Sequence, residues 1–535
     1  MGEQTARPSH LSHQDSFRPI QLSPSVYKCS FSPFATAAQA RRNGRCPAQL
    51  AGAMMNRAAQ NDVGQIRKHL RFTRIIVLLA FAFNAGTNVL LIGYFARTGG
   101  IDLVGHWAFL SAVALTVLIL DMGTVNALTY RIAQDGVESL AAAIRRLLGL
   151  ALAGAGALAV LIAVAISLSQ TLMIGTLLAA LSALLQLSSN WLVAIRMGQQ
   201  QQYWFNVKAI LRVSVQAICA LIFMQILAAD GMIVLGMALL MGGIVEFIMT
   251  SVLIRKEFTV RGPRAGFQEL RRLSAGFGVT DISQRAYQPL SQLLVAQMLG
   301  AAAIGIFTVG LRIPAVVGQS LNEALRGLLP ALSGMFASGN REAAMDLLRD
   351  SVALQLTVVV PAGMFLIFHA DSLIGLWIGV SDTNIVTAVR IFATALILFS
   401  VATPFHWAAQ AGGQAQAIGM VGLLVVCVVL GSGAVAMALG GNVLVFAAIY
   451  AAGQVAGAIA AIFICGQRLG LVGGLIKSLH LIRATLYLLV AAGLNFATLW
   501  LSDTLDPKPA LLIALIVNAV TLGPLAFAAM RKGWI

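Results

Sequence analysis

The chain has 535 residues, of which 59% are hydrophobic and only 10% are charged. Soluble domains carry about 25% charged residues, so this composition excludes a soluble globular protein and indicates one that crosses a membrane many times. In a soluble chain the formal net charge of +16 would suggest nucleic-acid binding. Here it follows from Lys and Arg in the loops, and we expect no nucleic-acid partner.

Residues 1–73 differ from the rest of the chain. They are rich in Ser, Pro, Gln, Ala and Arg and show no apolar periodicity, which predicts a disordered, basic, cytoplasmic extension. Two alternatives stay open. Translation from Met54 or Met55 would remove most of this segment. A transit peptide, which we favour less, is suggested by the richness in Arg and Ser and the scarcity of acidic residues.

From Ile75 onward, apolar windows of about 20 residues recur, each long enough to cross the roughly 30 Å hydrocarbon core as a helix. We therefore predict an all-α polytopic membrane protein with about 14 transmembrane helices. The predicted spans are 75–95, 103–128, 147–167, 172–195, 207–227, 232–254, 274–299, 303–332, 351–370, 386–409, 416–438, 443–465, 483–501 and 510–530.

Loop charge supports this count. One set of loops holds almost all the Lys and Arg residues, whereas the opposite set holds only Arg97 and Lys508 beside several acids. Cytoplasmic loops of membrane proteins carry such a positive excess. We expect both termini to be cytoplasmic.

Two features recur six spans apart. Trp191 and Trp407 precede Gly-Gln turns after the fourth and tenth spans, and Gly105 and Gly305 lead the second and eighth. An even offset means that both halves insert in the same direction, as in a parallel repeat about an axis along the membrane normal. The predicted domains are the extension at 1–73, a lobe of helices 1–6 at 74–255, a lobe of helices 7–12 at 273–466, and helices 13–14 at 480–531.

The seventh span is too polar to face lipid. Asp281 and Arg285 lie one turn apart on a helix, and Arg285, Gln288 and Gln292 share a face. Hydrocarbon tolerates such side chains where they meet other helices or water. We predict a cavity wall that presents a cation and amides to an anionic, sugar-bearing ligand; the equally weighted alternative is a structural Asp281–Arg285 pair.

The eighth span offers a second candidate cation for the cavity, Arg312. Pro314 follows two residues later, and we expect this proline to kink or break the helix and to act as a gate or hinge. Alternatively, Arg312 pairs with Glu323 or Asp281. Glu246, in the sixth span, and Glu323 are candidate coupling carboxylates for H⁺ or Na⁺.

Three other charges receive structural interpretations. Lys208 and Arg212 open the fifth span and are expected to extend their charged ends to the lipid headgroups. Asp121, where the second span meets the cytoplasm, is expected to form a structural salt bridge.

Motifs of enzymes are missing from the sequence. No loop after residue 74 exceeds about twenty residues, and there is no phosphate-binding loop or His-Glu-x-x-His zinc motif. The five cysteines are scattered, which favours neither a disulfide framework nor a metal site. We predict a transporter, without enzymatic activity, cofactor or metal.

Four stretches carry a family resemblance: Leu299–Phe307, Arg312–Pro314, Leu329–Ser333 and Leu376–Gly379. They resemble the polysaccharide-unit flippases of the multidrug/oligosaccharidyl-lipid/polysaccharide (MOP) exporter superfamily. The resemblance extends over the chain from Ile75 onward.

This resemblance implies two six-helix lobes plus two helices, and a monomer in the bacterial inner membrane. Alternating access would move an undecaprenyl-pyrophosphate-linked oligosaccharide from the inner to the outer leaflet, with Arg285 and Arg312 facing the pyrophosphate and sugars. The alternatives are a cation-coupled exporter of drugs or other small amphipathic molecules and, less favoured, a membrane-embedded polysaccharide polymerase or ligase. The sugar and the coupling ion are not determined by the sequence.

Overall fold

The computed structural model describes residues 47–135, 170–199, 203–227, 230–255, 267–325, 328–469 and 481–502, with single positions or short pieces at 149, 153, 154, 156, 201, 509, 511–518 and 520. The chain divides into two compact units, Met1–Phe72 and Thr73–Ile535. In the first unit, residues 47–72 are helical. The third predicted span lies almost wholly outside the described residues, as do residues 1–46 of the predicted extension.

All regular structure in the described ranges is helical. The helices are α1 (Pro47–Leu118), α2 (Thr124–Asp135), α3 (Gln170–Gly198), α4 (Tyr203–Ile226), α5 (Gly231–Leu253), α6 (Phe267–Leu299), α7 (Ala301–Ala324), α8 (Leu328–Ala337), α9 (Arg341–Phe368), α10 (Ala370–Ile378), α11 (Thr383–Ser400), α12 (Thr403–Ala411), α13 (Ala415–Ala438), α14 (Val443–Leu469) and α15 (Leu481–Ser502), with a 3₁₀ turn at Ile119–Asp121.

Nine helices of the described residues are long and apolar enough to cross a membrane. One of them, Leu79–Asp121, has 43 residues, which is about 65 Å of helix and twice the hydrocarbon thickness. It kinks at Gly100, so its two arms match the first and second predicted spans. α6 is not among the nine because of its polar residues, as expected for the seventh span. The count of fourteen stays a prediction.

Some predicted spans consist of two helices. The eighth is divided into α7 and α8, and the tenth into α11 and α12. Pro404 lies in the first turn of α12, where its missing N–H is no loss. Pro314, by contrast, lies inside α7, which continues without interruption to Ala324. The expectation for Pro314 is a kink or a break: the helix is not broken there, and a kink and a role as a hinge stay predictions.

The helices of the second unit pack as two groups. In the N-terminal group, α5 packs on α3 and α4, and α2 packs on α3. In the C-terminal group, α6 packs on α13, and α11 packs on α7, α9 and α14. α15 lies against α9, and its Thr498 hydroxyl is 3.0 Å from Nε2 of His369. Small residues permit close packing: Gly243 faces the backbone and hydroxyl of Ser182.

The two groups begin their central helices with the same backbone geometry. Gly100 has φ 73° and ψ −174°, and Gly300 has φ 86° and ψ −174°. Positive φ is a conformation that glycine adopts without a steric penalty. Each of these glycines precedes a helical arm that starts one residue later. We call the end of the bundle at which Gly100 and Gly300 lie the Gly100 end.

The second arm of α1 and α7 also contact each other reciprocally. A Cβ at Gly105 would lie 2.0 Å from the carbonyl oxygen of Ala301, and a Cβ at Gly305 would lie 2.4 Å from that of Ile101. Each helix thus places a glycine against the first residue of the other. A two-fold axis between the helices would produce this reciprocity, which supports the parallel repeat predicted from these two glycines.

Gly305→Ala should destabilise this arrangement. The new methyl group would overlap the carbonyl oxygen of Ile101, and overpacking of this kind costs about 1–3 kcal/mol. We expect a lower midpoint of thermal unfolding in detergent. Gly86→Ala is the matched control, because a Cβ at Gly86 meets nothing within 4 Å. Equal midpoints for the two variants would contradict the close approach.

Candidate functional site: a cationic cavity between the two helix groups

A cavity of about 200 Å³ lies between the two helix groups. Both arms of α1 and helices α3, α4 and α5 line one side, and α6 and α7 line the other. Its polar lining residues are Asn88, Ser111, Gln186, Arg212, Gln216, Gln288, Gln292, Thr308, Arg312 and Gln319. We call it the central cavity.

Two of the predicted cavity amides, Gln288 and Gln292, line the central cavity. Gln292 is buried, and its Nε2 donates to the Thr308 hydroxyl at 3.0 Å. This bond leaves the carbonyl of Gln292 available, while no hydrogen bond engages the Gln288 amide within the described part of the chain. The polar face predicted on the seventh span therefore does border a cavity, at these two positions.

Arg312 also lines the central cavity. Its buried Nε has no hydrogen-bond partner, and none of the described residues forms an ion pair with it. Neither alternative partner, Glu323 or Asp281, is among the described residues that line this cavity. An arginine in the middle of a membrane helix costs about 2.5–3.5 kcal/mol, so an unpaired one requires water or an anionic ligand.

The second cavity cation is Arg212 on α4, which the sequence analysis assigned to the headgroups. The assignment of its neighbour Lys208 to the headgroups is wrong: this side chain is buried, with a relative exposure of 2%. The Lys208 Nζ lies 2.5 Å from Oε1 of Glu246 and 2.5 Å from Oδ1 of Asn190. Arg212 follows one turn later, and its Nε lies 3.2 Å from Oε2 of Glu246.

This cluster holds two cations and one carboxylate. Hydroxyl groups complete it: Ser189 donates to Glu246 at 3.4 Å and lies 2.7 Å from the Thr250 hydroxyl. Because Lys208 already neutralises Glu246, the net positive charge of the cluster resides at Arg212, beside the central cavity. Glu246 itself does not line the cavity, and its proposed role in ion coupling stays a prediction.

Within the described part of the chain, both charged residues that line the central cavity are arginines, and no carboxylate lines it. Two like charges in a site of low dielectric attract anions strongly. The chemistry of the cavity is therefore that of an anion site edged with amides.

Arg285 and Asp281 lie outside the lining of the central cavity, toward Asp121. The Arg285 Nη2 lies 3.1 Å from Oδ2 of Asp281, as in the alternative interpretation, and its Nη1 lies 3.7 Å from Oδ2 of Asp121. Asp121 also accepts a hydrogen bond from Nε1 of Trp191 at 2.7 Å. The salt bridge expected at Asp121 thus joins the N-terminal group to α6. We call this the Asp121 end.

The groups also meet at the Gly100 end. Arg97 of α1 donates from Nε to the carbonyl of Trp377 at 3.2 Å and from Nη2 to the carbonyl of Leu376. The Trp377 indole donates to the carbonyl of Val89 at 2.8 Å and packs on Gly93. The central cavity therefore lies between two sets of contacts that join the groups.

The remaining predicted residues lie on α7. Pro314 is buried two residues after the cavity-lining Arg312, and Glu323 lies in the last turn. Among the described residues, no three His, Cys, Asp or Glu side chains form a cluster that could hold a metal ion.

A comparison with known protein families shows to which family the chain belongs. Residues 105–387, more than half of the chain, match the polysaccharide biosynthesis protein family. The chain belongs to this family.

Solved structures share the fold at low sequence identity. An inward-facing multidrug resistance MATE transporter of the MOP superfamily matches with a TM-score of 0.56 and 16% identity, covering 76% of this chain and 99% of that chain. The outward-facing MATE structure matches with a TM-score of 0.54 and 15% identity, covering 76% and 96%. The lipid II flippase MurJ, in an inward closed conformation, matches with a TM-score of 0.58 and 15% identity, covering 86% and 98%. No curated protein sequence matches the chain.

The buried ion cluster of Lys208, Arg212 and Glu246 should show strong coupling between its members. Lys208→Met leaves Arg212 as the one described cation beside the Glu246 carboxylate, and removing one side of a buried ion pair costs about 3–5 kcal/mol. We expect a lower midpoint of thermal unfolding for Lys208→Met. The double variant Lys208→Met/Glu246→Gln should lose less free energy of unfolding than the sum of the losses in the two single variants, Lys208→Met and Glu246→Gln. Additive losses would contradict the pairing. Arg349→Gln, at the surface pair with Asp346, is the control and should change little.

The contact at the Asp121 end should restrict access to the central cavity. Because the Arg285 side chain is 40% exposed, its ion pairs are worth no more than about 1 kcal/mol. Arg285→Gln should therefore raise the accessibility of the central cavity to solvent about two- to five-fold. The measurement is the labelling rate of Ser111→Cys, a cavity position, by a bulky maleimide in a variant without native cysteines. Arg349→Gln again serves as control. An unchanged rate with Arg285→Gln would show that this contact does not close the cavity.

Proposed function

We propose that this protein is a flippase that moves a lipid-linked oligosaccharide or polysaccharide repeat unit from the inner to the outer leaflet of the bacterial inner membrane by alternating access. The observation that carries the proposal is the central cavity, with Arg212 and Arg312 facing it and no described carboxylate in its lining. A pyrophosphate-linked polyprenyl carrier is an anion that cannot cross hydrocarbon unaided. The cavity supplies the charge that the carrier needs.

Family membership supports the proposal, because the matched family is one of polysaccharide biosynthesis proteins. Fold supports it further: the flippase structure covers 86% of this chain, whereas the MATE transporters cover 76%. The additional coverage agrees with two helices beyond a twelve-helix core.

In the mechanism that we propose, the pyrophosphate lies between Arg212 and Arg312. Arginine pairs with phosphate through two parallel hydrogen bonds, and the guanidinium of Arg312 has no competing partner among the described residues. Binding would draw Arg212 away from Glu246, which Lys208 continues to neutralise. Gln288 and Gln292 would bond to the first sugar, while the polyprenyl chain stays in the lipid.

The cavity must open at each end in turn. At about 200 Å³ it is smaller than the 300–1,000 Å³ of typical ligand sites, so the structure represents a closed state. Opening at the Asp121 end would separate Arg285 from Asp121, and opening at the Gly100 end would separate Arg97 and Trp377 from their partner carbonyls. Pro314, next to the cavity cation, is our proposed hinge.

The source of energy is a separate part of the proposal. Coupling to H⁺ or Na⁺ would act at Glu246 or Glu323, and at Glu246 a proton would compete directly with Lys208. Consumption of the product outside the cell would also drive the cycle. We propose a monomer as the working unit.

The second candidate function is a cation-coupled exporter of small amphipathic compounds, favoured by the fold shared with MATE transporters. Any cationic substrate of such an exporter would be repelled by Arg212 and Arg312. The sign of the cavity charge therefore discriminates between the two functions.

The test is a flipping assay in proteoliposomes with a fluorescent undecaprenyl-pyrophosphate-linked oligosaccharide. Each charged hydrogen bond is worth about 1.5–3 kcal/mol, so Arg312→Gln and Arg212→Gln should each lower the rate at limiting substrate about 10- to 100-fold. Arg→Lys at the same positions should retain part of the activity, because the charge persists.

Arg349→Gln is the matched control and should flip at the unmodified rate. Flipping that is unchanged in both cavity variants would refute the site assignment. Export of a cationic dye by the unmodified protein, with no flipping, would favour the second candidate.

A further inference from the structure

A second cavity of about 420 Å³ lies within the C-terminal group. Helices α6, α12, α13 and α14 supply most of its wall, and the last turns of α7 and α11 supply the rest. Its polar and aromatic lining residues are Ser283, Gln284, Tyr287, Asn322, Phe399, Thr403, His406, Trp407, Gln410 and Gln454. We call it the side pocket.

The side pocket differs from the central cavity in charge. No Asp, Glu, Lys or Arg of the described residues lines it. Its wall instead combines amides, hydroxyls and aromatic rings. Such groups bind a neutral, hydroxyl-rich ligand through hydrogen bonds and ring contacts. Such a lining gives little stabilisation to a pyrophosphate.

Part of this lining is held in place by the protein. The Tyr287 hydroxyl donates to the carbonyl of Tyr450 at 2.6 Å, and the two rings lie 4.4 Å apart. Other groups have no partner: the Nε1 of Trp407 is buried without one. A buried indole N–H normally finds a hydrogen-bond acceptor, so an acceptor supplied by a ligand would satisfy it.

The two cavities adjoin along α6 and α7. Gln292, Gln288 and Gln284 are spaced four residues apart and thus share one face of α6. The first two line the central cavity, and the third lines the side pocket. One helical turn, about 5.4 Å, separates each from the next.

α7 repeats this arrangement. Gln319 lines the central cavity, and Asn322, on the same face one turn later, lines the side pocket. Within the described ranges no hydrogen bond engages the side-chain amides of Gln284, Gln319 or Asn322. A track of free amides therefore leads from the two arginines into the neutral pocket.

We propose that the side pocket is the glycan subsite of the flippase: it holds sugar units of the lipid-linked substrate while the pyrophosphate lies between Arg212 and Arg312. This inference rests on the proposed function and adds the part of the substrate that the arginines do not recognise. The volumes of the two cavities support this assignment. The central cavity, at about 200 Å³, does not accommodate an oligosaccharide, whereas the side pocket, at about 420 Å³, is within the range of ligand sites.

The experiment compares three probes that share one anionic group: undecaprenyl pyrophosphate without sugar, with one N-acetylhexosamine, and with an oligosaccharide of several sugars. Binding to the full-length protein in nanodiscs is measured for each. The unmodified protein should bind the sugar-bearing carriers more tightly than the bare carrier.

Gln284→Leu and Asn322→Leu should each weaken binding of the oligosaccharide carrier about three- to ten-fold, as expected for one lost hydrogen bond. Binding of the bare carrier should be unchanged, which also shows that the variants are folded. Gln297→Leu is the matched control on the same helix, because Gln297 faces an apolar groove with Leu293 and Leu430. It should bind all three carriers normally.

The outcomes separate the two proposals. Bare carrier that binds in an Arg312-dependent way, with sugars adding nothing, would overturn the glycan subsite and leave the flippase proposal standing. Equal losses for the bare and sugar-bearing carriers in Gln284→Leu and Asn322→Leu would also overturn the subsite. Failure of the unmodified protein to bind any carrier would overturn the proposed function and, with it, this inference.

Discussion

A charged side chain in the hydrocarbon core must pair with an opposite charge or face water, and this constraint organises the whole membrane bundle. Lys208 satisfies it with Glu246, and Arg285 satisfies it with Asp281 and Asp121. Arg312 has no described partner, and Arg212 shares a carboxylate that is already neutralised. The two unsatisfied positive charges lie at one cavity between the helix groups. The anionic substrate that we propose would complete the charge balance that the protein leaves open.

Contacts between the two groups are of two kinds, and their difference suits a cycle of opening and closing. At the Gly100 end, the contact depends on shape: Gly105 and Gly305 bring two helices together, and Trp377 donates to a backbone carbonyl across the interface. At the Asp121 end, the cross-group ion pair is long at 3.7 Å and partly exposed, so it is weak. The ion pair therefore adds little to the stability of the contact at this end, where α2 also packs against α6.

If the protein moves a lipid-linked oligosaccharide, as we propose, the two adjoining cavities would divide recognition according to the chemistry of that substrate. A lipid-linked oligosaccharide has an anionic junction and a neutral, hydroxyl-rich glycan. Arginines at the central cavity match the first, and the uncharged amides and aromatic rings of the side pocket match the second. Because the amides of α6 continue from one cavity to the other at single-turn spacing, one helix would contact both parts of the substrate.

Much of this protein follows from the sequence alone. The membrane class, the all-α fold, the polar face of the seventh span and the Gly105–Gly305 repeat are encoded by local composition and spacing, because water, lipid and helical periodicity act on each segment separately. Arg312, Gln288 and Gln292 were found in this way, as was the alternative Asp281–Arg285 pair. Only the tertiary structure decided the burial of Lys208, since its partner Glu246 lies on another helix and hydropathy does not report contacts between helices. For the same reason the sequence does not predict that Arg212 faces the cavity or that Arg285 lies beside it. The side pocket is lined by residues of six helices, so no single helix carries a sequence signature of it.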